Sequence, residues 1–265
     1  MIEPTDAPVF SVIMPVFNAE DFLKDAVNSV IDQTYASWEL ILIDDASTDG
    51  SQALISAFAK AHPQQIQCIQ FKSNQGTAKA RNAGIERAKG RFICFLDADD
   101  RWMPEKLEKQ YQCFMTTGTA VCFSSYVLMQ ETGELLHQKV QAFPELPYSK
   151  LLKANYIGNL TGAYDTQKLG KCYSPLLRKR QDWALWLEVI RKGGSAVGIQ
   201  QPLAVYRKRK GSISANKLAL LKYNFLIYYS FLDYPLVKSL GCMLVFLREQ
   251  LMIKPRQTVP YLPKS

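Results

Sequence analysis

The chain lacks a CxxC pair, an internal repeat, a low-complexity stretch and any uncharged apolar run long enough to cross a bilayer. Each absence closes a class. The six cysteines (Cys68, Cys94, Cys113, Cys122, Cys172 and Cys242) are scattered, several within apolar stretches. They read as buried thiols in a reducing compartment, with neither zinc nor a disulfide framework. A membrane span needs about 18 consecutive apolar residues, and no segment approaches that. The opening MIEPTDAPVF has neither the basic nor the long apolar region of a signal peptide. The expected location is therefore the cytoplasm, with the inner face of the membrane within reach. The basic residues are not interleaved with a stacking or groove-reading motif, so the net charge of +8 does not point to nucleic acid. The stretch VIMPVFNAE contains no glycine, which counts against the glycine-rich opening loop of a sugar-nucleotidyltransferase.

What is present is an alternation of strands and helices. With 265 residues, 48% of them hydrophobic, the chain can bury a substantial core. Val9 to Met14 reads as a buried strand broken by Pro15, and Glu20 to Gln33 carries helical spacing through Phe22, Leu23, Ala26, Val27 and Val30. Strands follow at Glu39 to Ile43, Ile66 to Phe71 and Arg91 to Leu96. Helices are expected near Ser47 to Ala59, at Thr77 to Lys89, and from about Pro104. This order predicts an α/β fold with a mostly parallel sheet covered on both faces. In such sheets ligands bind beyond the carboxyl ends of the strands. Phe17-Asn18, Asp44-Asp45, Asn74 to Gly76 and Asp97 to Asp100 all fall there.

The most loaded of these ends is ICFLDADDRW. Asp97, Asp99 and Asp100 directly follow an apolar strand, and three clustered acids repel one another unless a cation or donors offset them. One reading is an oxygen-rich site for Mg²⁺ or Mn²⁺ bridging to phosphate. The other is a solvated acidic turn ahead of a helix.

SVIMPVFNAEDFL, ELILIDDASTDGS, NQGTAKARNAGIERAKGRFICFLDADDRW, RQDWALWL and LAVYRKRKGSIS, in this order between about Val9 and Ser214, resemble glycosyltransferase family 2. These are inverting enzymes of the GT-A fold that use nucleotide-sugar donors. The resemblance implies a GT-A α/β/α sandwich at 1–215, divided into a donor half (1–118) and an acceptor half (119–215). It is nearest in character to bacterial enzymes of capsule, teichuronic acid or lipopolysaccharide synthesis, with a UDP-sugar as the preferred donor and a glycan or lipid-linked acceptor. Dehalogenase-like phosphatases, the DxD rival, carry that motif after the first strand and not the fourth. A binding protein of the same fold without turnover would be betrayed by loss of Asp97, Asp99 or Asp182, and none is lost.

In the donor half, Pro15 and Phe17 offer apolar contact for a nucleotide base. The resemblance gives contact with the uracil imide to the second acid of the Asp44-Asp45 pair, Asp45, while helix capping competes for at least one of the two. Gly76 and Ala98 belong to the same rim. Arg81 is read either as a nucleotide or phosphate contact or as a surface salt-bridge partner. By resemblance Asp97 faces the ribose and, with Asp99, makes the metal site, Asp99 being the ligand to Mn²⁺ or Mg²⁺. Asp100 orients the acceptor or metal waters, or simply favours the next helix.

In the acceptor half, a strand is expected at Thr119 to Met129, a short helix at Ser149 to Ala154, and a strand or loop at Gly158 to Tyr164. The family places its catalytic base at the Asp of an ED pair, which corresponds to Asp182 at the start of a helix reaching Lys192. Here Gln181 replaces the Glu, and an N-cap role for Asp182 competes. The QxxRW string of processive polymerases is missing, which favours a single sugar addition. Arg180 and Arg207, from the clusters Arg178-Lys179-Arg180 and Arg207 to Lys210, are candidates for contact with a diphosphate or an anionic acceptor. Beyond 215 a C-terminal appendage (216–265) reads as two helices around Pro235. The second carries a Leu240, Leu244, Leu247, Leu251 stripe. Such helices pack on the catalytic domain, on a second copy of it as a homo-oligomer, or on an anionic membrane.

Overall fold

The structure is a computed structural model describing residues 7–209 and 217–262. The opening MIEPTD, residues 210–214 of the last family-like string, and the boundary at 215–216 lie outside the described residues.

In chain order the elements are β1 (Phe10–Val16), α1 (Glu20–Ile31), β2 (Trp38–Asp44), α2 (Ser51–Ala61), β3 (Ile66–Gln70), α3 (Thr77–Arg87) and β4 (Phe92–Phe95). Then come β5 (Arg101–Trp102), α4 (Lys106–Thr117), β6 (Val121–Met129), β7 (Leu135–Val140), β8 (Glu145–Leu146) and α5 (Tyr148–Leu151). The last are β9 (Ala163–Asp165), α6 (Thr166–Leu169), α7 (Gln181–Gly193), β10 (Ala196–Arg207), α8 (Lys217–Leu226), α9 (Leu236–Arg248) and β11 (Thr258–Pro260). The first four strands fall where the apolar runs predict them, with ends shifted by a few residues.

The sheet path is β11-β7-β6-β9-β4-β1-β2-β3, and β10 runs beside β6, β5 and β8. Strands β3, β2, β1 and β4 are mutually parallel. Antiparallel pairing through β9 joins them to β6, which pairs in parallel with β10 and antiparallel with β7. The long strand β10 and the strand β7, between β6 and the short edge strand β11, were not expected. Both mix buried and exposed positions, whereas the central strands are buried almost throughout, because each is partly open to solvent.

Side-chain alternation along β1 and β4 feeds two cores, one on each face of the sheet. Phe10, Val12, Met14, Phe92 and Cys94 meet α1 and α4 through Leu23, Val27, Leu107 and Phe114. Ile13, Ile93 and Phe95 point the other way, toward Ala80 and Ile85 of α3 and Trp183, Trp186 and Leu187 of α7. Gly162 is required for this second layer. A Cβ there would sit 2.3 Å from the Trp186 ring.

The C-terminal helices belong to that same layer. Trp183 meets Tyr228 edge to face and Phe246 in a tilted contact, with ring centroids 5.7 Å apart in both cases, and β11 extends the sheet at β7. Of the leucine stripe, Leu247 packs inward, whereas Leu240, Leu244 and Leu251 are exposed. Among the described residues no helix is long and apolar enough to cross a membrane.

Candidate active site

The rim at the carboxyl ends of β1, β2 and β4 is built from loops that bind one another. Asn18 takes a left-handed backbone (φ 46°) just past β1. Its Oδ1 accepts from Thr48 N at 2.9 Å, and its own N–H donates to Ser47 Oγ at 3.1 Å. Phe17, immediately before, holds an exposed ring beside this junction. Pro15 lies within β1, paired with Ile43 of β2.

The acids at the end of β2 divide their labour. Asp44 Oδ1 accepts from Ser47 N at 3.0 Å and so shapes the turn, while its buried Oδ2 has no protein partner among the described residues. Asp45 reaches across to the loop before α3, where its two oxygens accept from Gln75 N at 2.6 Å and Gly76 N at 2.8 Å. Gly76 sits at φ 89°, a conformation that favours glycine, and this aims its N–H at the carboxylate. Neither acid caps α2, whose N-cap residue is Gly50 with no side-chain cap bond, so the capping expectation is not met and Asp44 holds only the turn ahead of the helix. Asp45 is a brace for the rim, with further lone pairs on each oxygen.

The DxD segment is held by arginines. Arg81 is buried in α3 and not on its surface, and its NH2 pairs with Asp97 Oδ1 at 2.7 Å. Asp99 Oδ2 pairs with Arg209 NH1 at 3.0 Å. Arg207, at the end of β10, donates from Nε to the Asp99 carbonyl at 2.8 Å, and its backbone N–H donates to Asp100 Oδ1 at 2.8 Å. Both Arg207 and Arg209 lie over the Phe22 ring. Arg207 and Asp100, read from sequence as acceptor contacts or supporting groups, are therefore buried supports of the DxD turn. Ala98 between the two acids is buried as well. Sequence reasoning missed Arg209, although it stands in the same basic run as Arg207. Its signal was charge alone, which does not reveal a partner 110 residues away.

Burial, then the neighbouring Asp97 charge, pushes the Asp99 carboxyl up, and Arg209 opposes this. Burial, then Asp99 and Asp97, pushes Asp100 up further against the pull of Arg207. Burial is the larger cause for both acids, and repulsion within the cluster adds to it. Asp97 and Asp99 each keep one oxygen free of these pairs and are partly exposed. Among the described residues no three His, Cys, Asp or Glu side chains converge into a closed metal cage. The donor set fits a hard divalent cation that takes its remaining ligands from water and phosphate.

On the acceptor side, Asp182 stands in the first turn of α7 but caps nothing. Its Oδ2 accepts from Asn155 Nδ2 at 2.8 Å. Asn155 had no signal in the sequence beyond a polar residue after the short helix. Arg180, just before α7, has a left-handed backbone (φ 66°), and its Nε donates to Asn224 Oδ1 of α8 at 2.6 Å. Trp183 and Trp186 are both core. A cleft of about 380 Å³ between α7 and the C-terminal helices, lined by Leu187, Arg191, Asp233 and Tyr234 among others, shares no residue with this rim.

Comparison with known proteins agrees with this architecture. The model of the family described as glycosyl transferase family 2 matches residues 11–174. A putative teichuronic acid biosynthesis glycosyltransferase, TuaG of Bacillus subtilis, is 38% identical over 90% of this chain and 94% of its own length. The Escherichia coli UDP-Glc:alpha-D-GlcNAc-diphosphoundecaprenol beta-1,3-glucosyltransferase WfgD is 33% identical over 88% of this chain and 90% of its own. Among solved structures, Staphylococcus aureus TarS 1-349 in complex with UDP-GlcNAc superimposes with TM-score 0.70 at 19% identity, covering 93% of this chain and 74% of that one. A mannosyltransferase from Pyrobaculum calidifontis in complex with GDP-Man and Mn²⁺ gives 0.63 at 17% identity, covering 96% and 73%. The last two show the fold, and the first three carry the descent: this chain is a glycosyltransferase and belongs to glycosyl transferase family 2.

Proposed function

We propose that the chain transfers one sugar from a nucleotide-diphosphate sugar, a UDP-sugar for preference, to a hydroxyl of a lipid-linked or glycan acceptor in surface polysaccharide synthesis, with inversion at the anomeric carbon. The observation that carries the reading is the pairing of a braced DxD turn with a separate, uncapped carboxylate at Asp182 on the same molecule. The relatives described as a putative teichuronic acid biosynthesis glycosyltransferase and as a glucosyltransferase with a diphosphoundecaprenol acceptor support it.

In the donor half, Phe17 offers its face to the base, and Asp45 fixes the loop against which the base would lie. Asp97, oriented by Arg81, is directed to the ribose. Asp97 and Asp99 would hold Mn²⁺ or Mg²⁺, which when bound offsets charge on a departing diphosphate without proton transfer. Arg207 and Asp100 hold the shape of the turn against the mutual repulsion of its acids. Asp182, oriented by Asn155, takes the proton of the attacking hydroxyl. Displacement in a single step needs no covalent glycosyl-enzyme, and no second nucleophile is called for.

The exposed Leu240 and Leu244 on α9 and Leu251 just beyond it, with Lys238 and Arg248 nearby, are suited to the surface of an anionic membrane that presents a lipid-linked acceptor. On this reading the working enzyme lies in the cytoplasm against the inner leaflet. A screen of nucleotide sugars for metal-dependent hydrolysis and thermal stabilisation tests the donor reading. Failure of every nucleotide sugar to bind would overturn it.

A further inference from the structure

We propose that Arg180 and Lys254 form a binding site for the phosphate or diphosphate group of the acceptor, next to Asp182. The inference rests on the transfer reading above and assigns the acceptor's anionic group to two residues, one of them contributed by the C-terminal segment.

The two cations reach this place from different parts of the chain, Arg180 from just before α7 and Lys254 from the C-terminal segment. Arg180 is fixed by Asn224, a residue of α8 that is itself buried. Lys254 follows α9 at the start of a short 3-10 turn, with its ammonium 5.6 Å from the centre of the Tyr156 ring. Tyr156 is the chain neighbour of Asn155, which holds Asp182. The C-terminal helices, by packing on Trp183, thus bring Lys254 to the start of α7.

The charges there do not balance. Glu249, the acid nearest to Lys254 along the chain, is already engaged by Lys150 at 2.9 Å and by the Tyr156 hydroxyl. Among the described residues no carboxylate lies within ion-pair distance of Arg180 or Lys254. Asp182 is the one acid that acts on both, and it already accepts the Asn155 amide. Burial, then Arg180, brings the Lys254 ammonium down to about 8, and burial lowers the Arg180 guanidinium too. Two half-buried cations facing one carboxylate leave an uncompensated positive charge in a desolvated place, which is costly unless an anion enters.

A phosphate ester suits the vacancy in charge. Arginine meets phosphate oxygens with two parallel donors, and lysine adds a point charge beside it. The donor diphosphate is drawn to the DxD turn, whereas Arg180 stands two residues from the expected base. An acceptor sugar carrying phosphate on its anomeric carbon would present a ring hydroxyl to Asp182 and its phosphate to these cations.

The test is calorimetric titration of a short-chain alkyl diphosphate into the full chain, with the donor site filled by UDP and Mn²⁺. A prior UDP titration reports the donor reading separately, so a protein that fails to bind UDP sinks that reading and not this one. Wild type should bind the alkyl diphosphate. Lys254→Gln and Arg180→Gln should each weaken it by about tenfold or more, the worth of one charged hydrogen bond, and Lys254→Arg should retain it. Lys254→Met, which keeps the apolar stem, replaces Lys254→Gln if a melting curve shows the latter unfolded. Wild type that binds UDP but not the alkyl diphosphate, or equal binding by the uncharged Lys254 variant, overturns the proposal.

Discussion

Asn155 Nδ2 donates to Asp182 Oδ2 at 2.8 Å, across 27 residues of chain. The bond fixes the direction of a carboxylate that the helix itself does not use, since the residue before α7 is Arg180 and no side chain caps that end. A first-turn acid that is held by a partner, and not spent on backbone N–H groups, is available for proton transfer.

Asp182→Asn keeps the shape and can still meet Asn155, but cannot take a proton. Transfer should fall by about 10²–10⁴-fold, with UDP affinity and melting temperature nearly unchanged. Single-turnover kinetics with saturating donor measures this. A loss under about fivefold would remove the base assignment.

Asp99→Ala should abolish metal-dependent donor turnover while the fold survives, because Arg207 still holds the turn through the residue 99 carbonyl and Asp100. The stabilisation that Mn²⁺ plus UDP gives to wild type should vanish in a melting experiment. Wild-type turnover by this variant in the presence of metal would show that the DxD reading is mistaken.

Lys106 gives a pH prediction. Its ammonium is buried over the Trp102 ring, 4.0 Å from the centroid, and donates to Gln110 Oε1 at 2.5 Å. Burial lowers it from 10.5 to about 8. Below about pH 8 both folded and unfolded chains carry the charge, so its cost to the fold is present in full, roughly 3 kcal/mol. Between about 8 and 10.5 the unfolded chain binds the extra proton, so this contribution to stability rises with pH. The stability gap between Lys106→Met and wild type should therefore shift in favour of wild type across that window, by denaturant unfolding at a series of pH values. A gap constant from pH 7 to 10.5 would contradict it.

The exposed leucines of α9 predict co-sedimentation with anionic vesicles and release at high salt. Leu240 and Leu244 are 52% and 71% exposed, so Leu240→Ser with Leu244→Ser should abolish binding without unfolding the protein. Deleting the tail would be a poorer test, because Tyr228 and Phe246 share the Trp183 core. Binding that ignores lipid charge and survives the double change would favour self-association through this face.

Much of the donor half was legible because its signals are local. Apolar runs of four to seven residues marked β1, β2 and β4, and the residues that follow them, Phe17-Asn18 after β1 and acids after β2 and β4, form one rim, as the parallel order demands. Arg81 was ambiguous, since helical position alone does not say whether a guanidinium faces water or Asp97. The acceptor half was harder. β10 and β7 lie partly open to solvent, so their patterns are mixed, and Asn155 becomes informative only when α7 is beside it.

The sequence alone determined the alternation of strands and helices, the strand-end acids, and the family, because periodicity and short motifs are properties of neighbouring residues. Tertiary structure decided which charges meet. Arg209 on Asp99, Arg207 beneath Asp100, Asn155 on Asp182 and Lys254 near Arg180 join segments from 27 to more than 100 residues apart. Such pairs follow from how the two cores bury their faces, with the C-terminal helices packed on Trp183, and no local pattern encodes them.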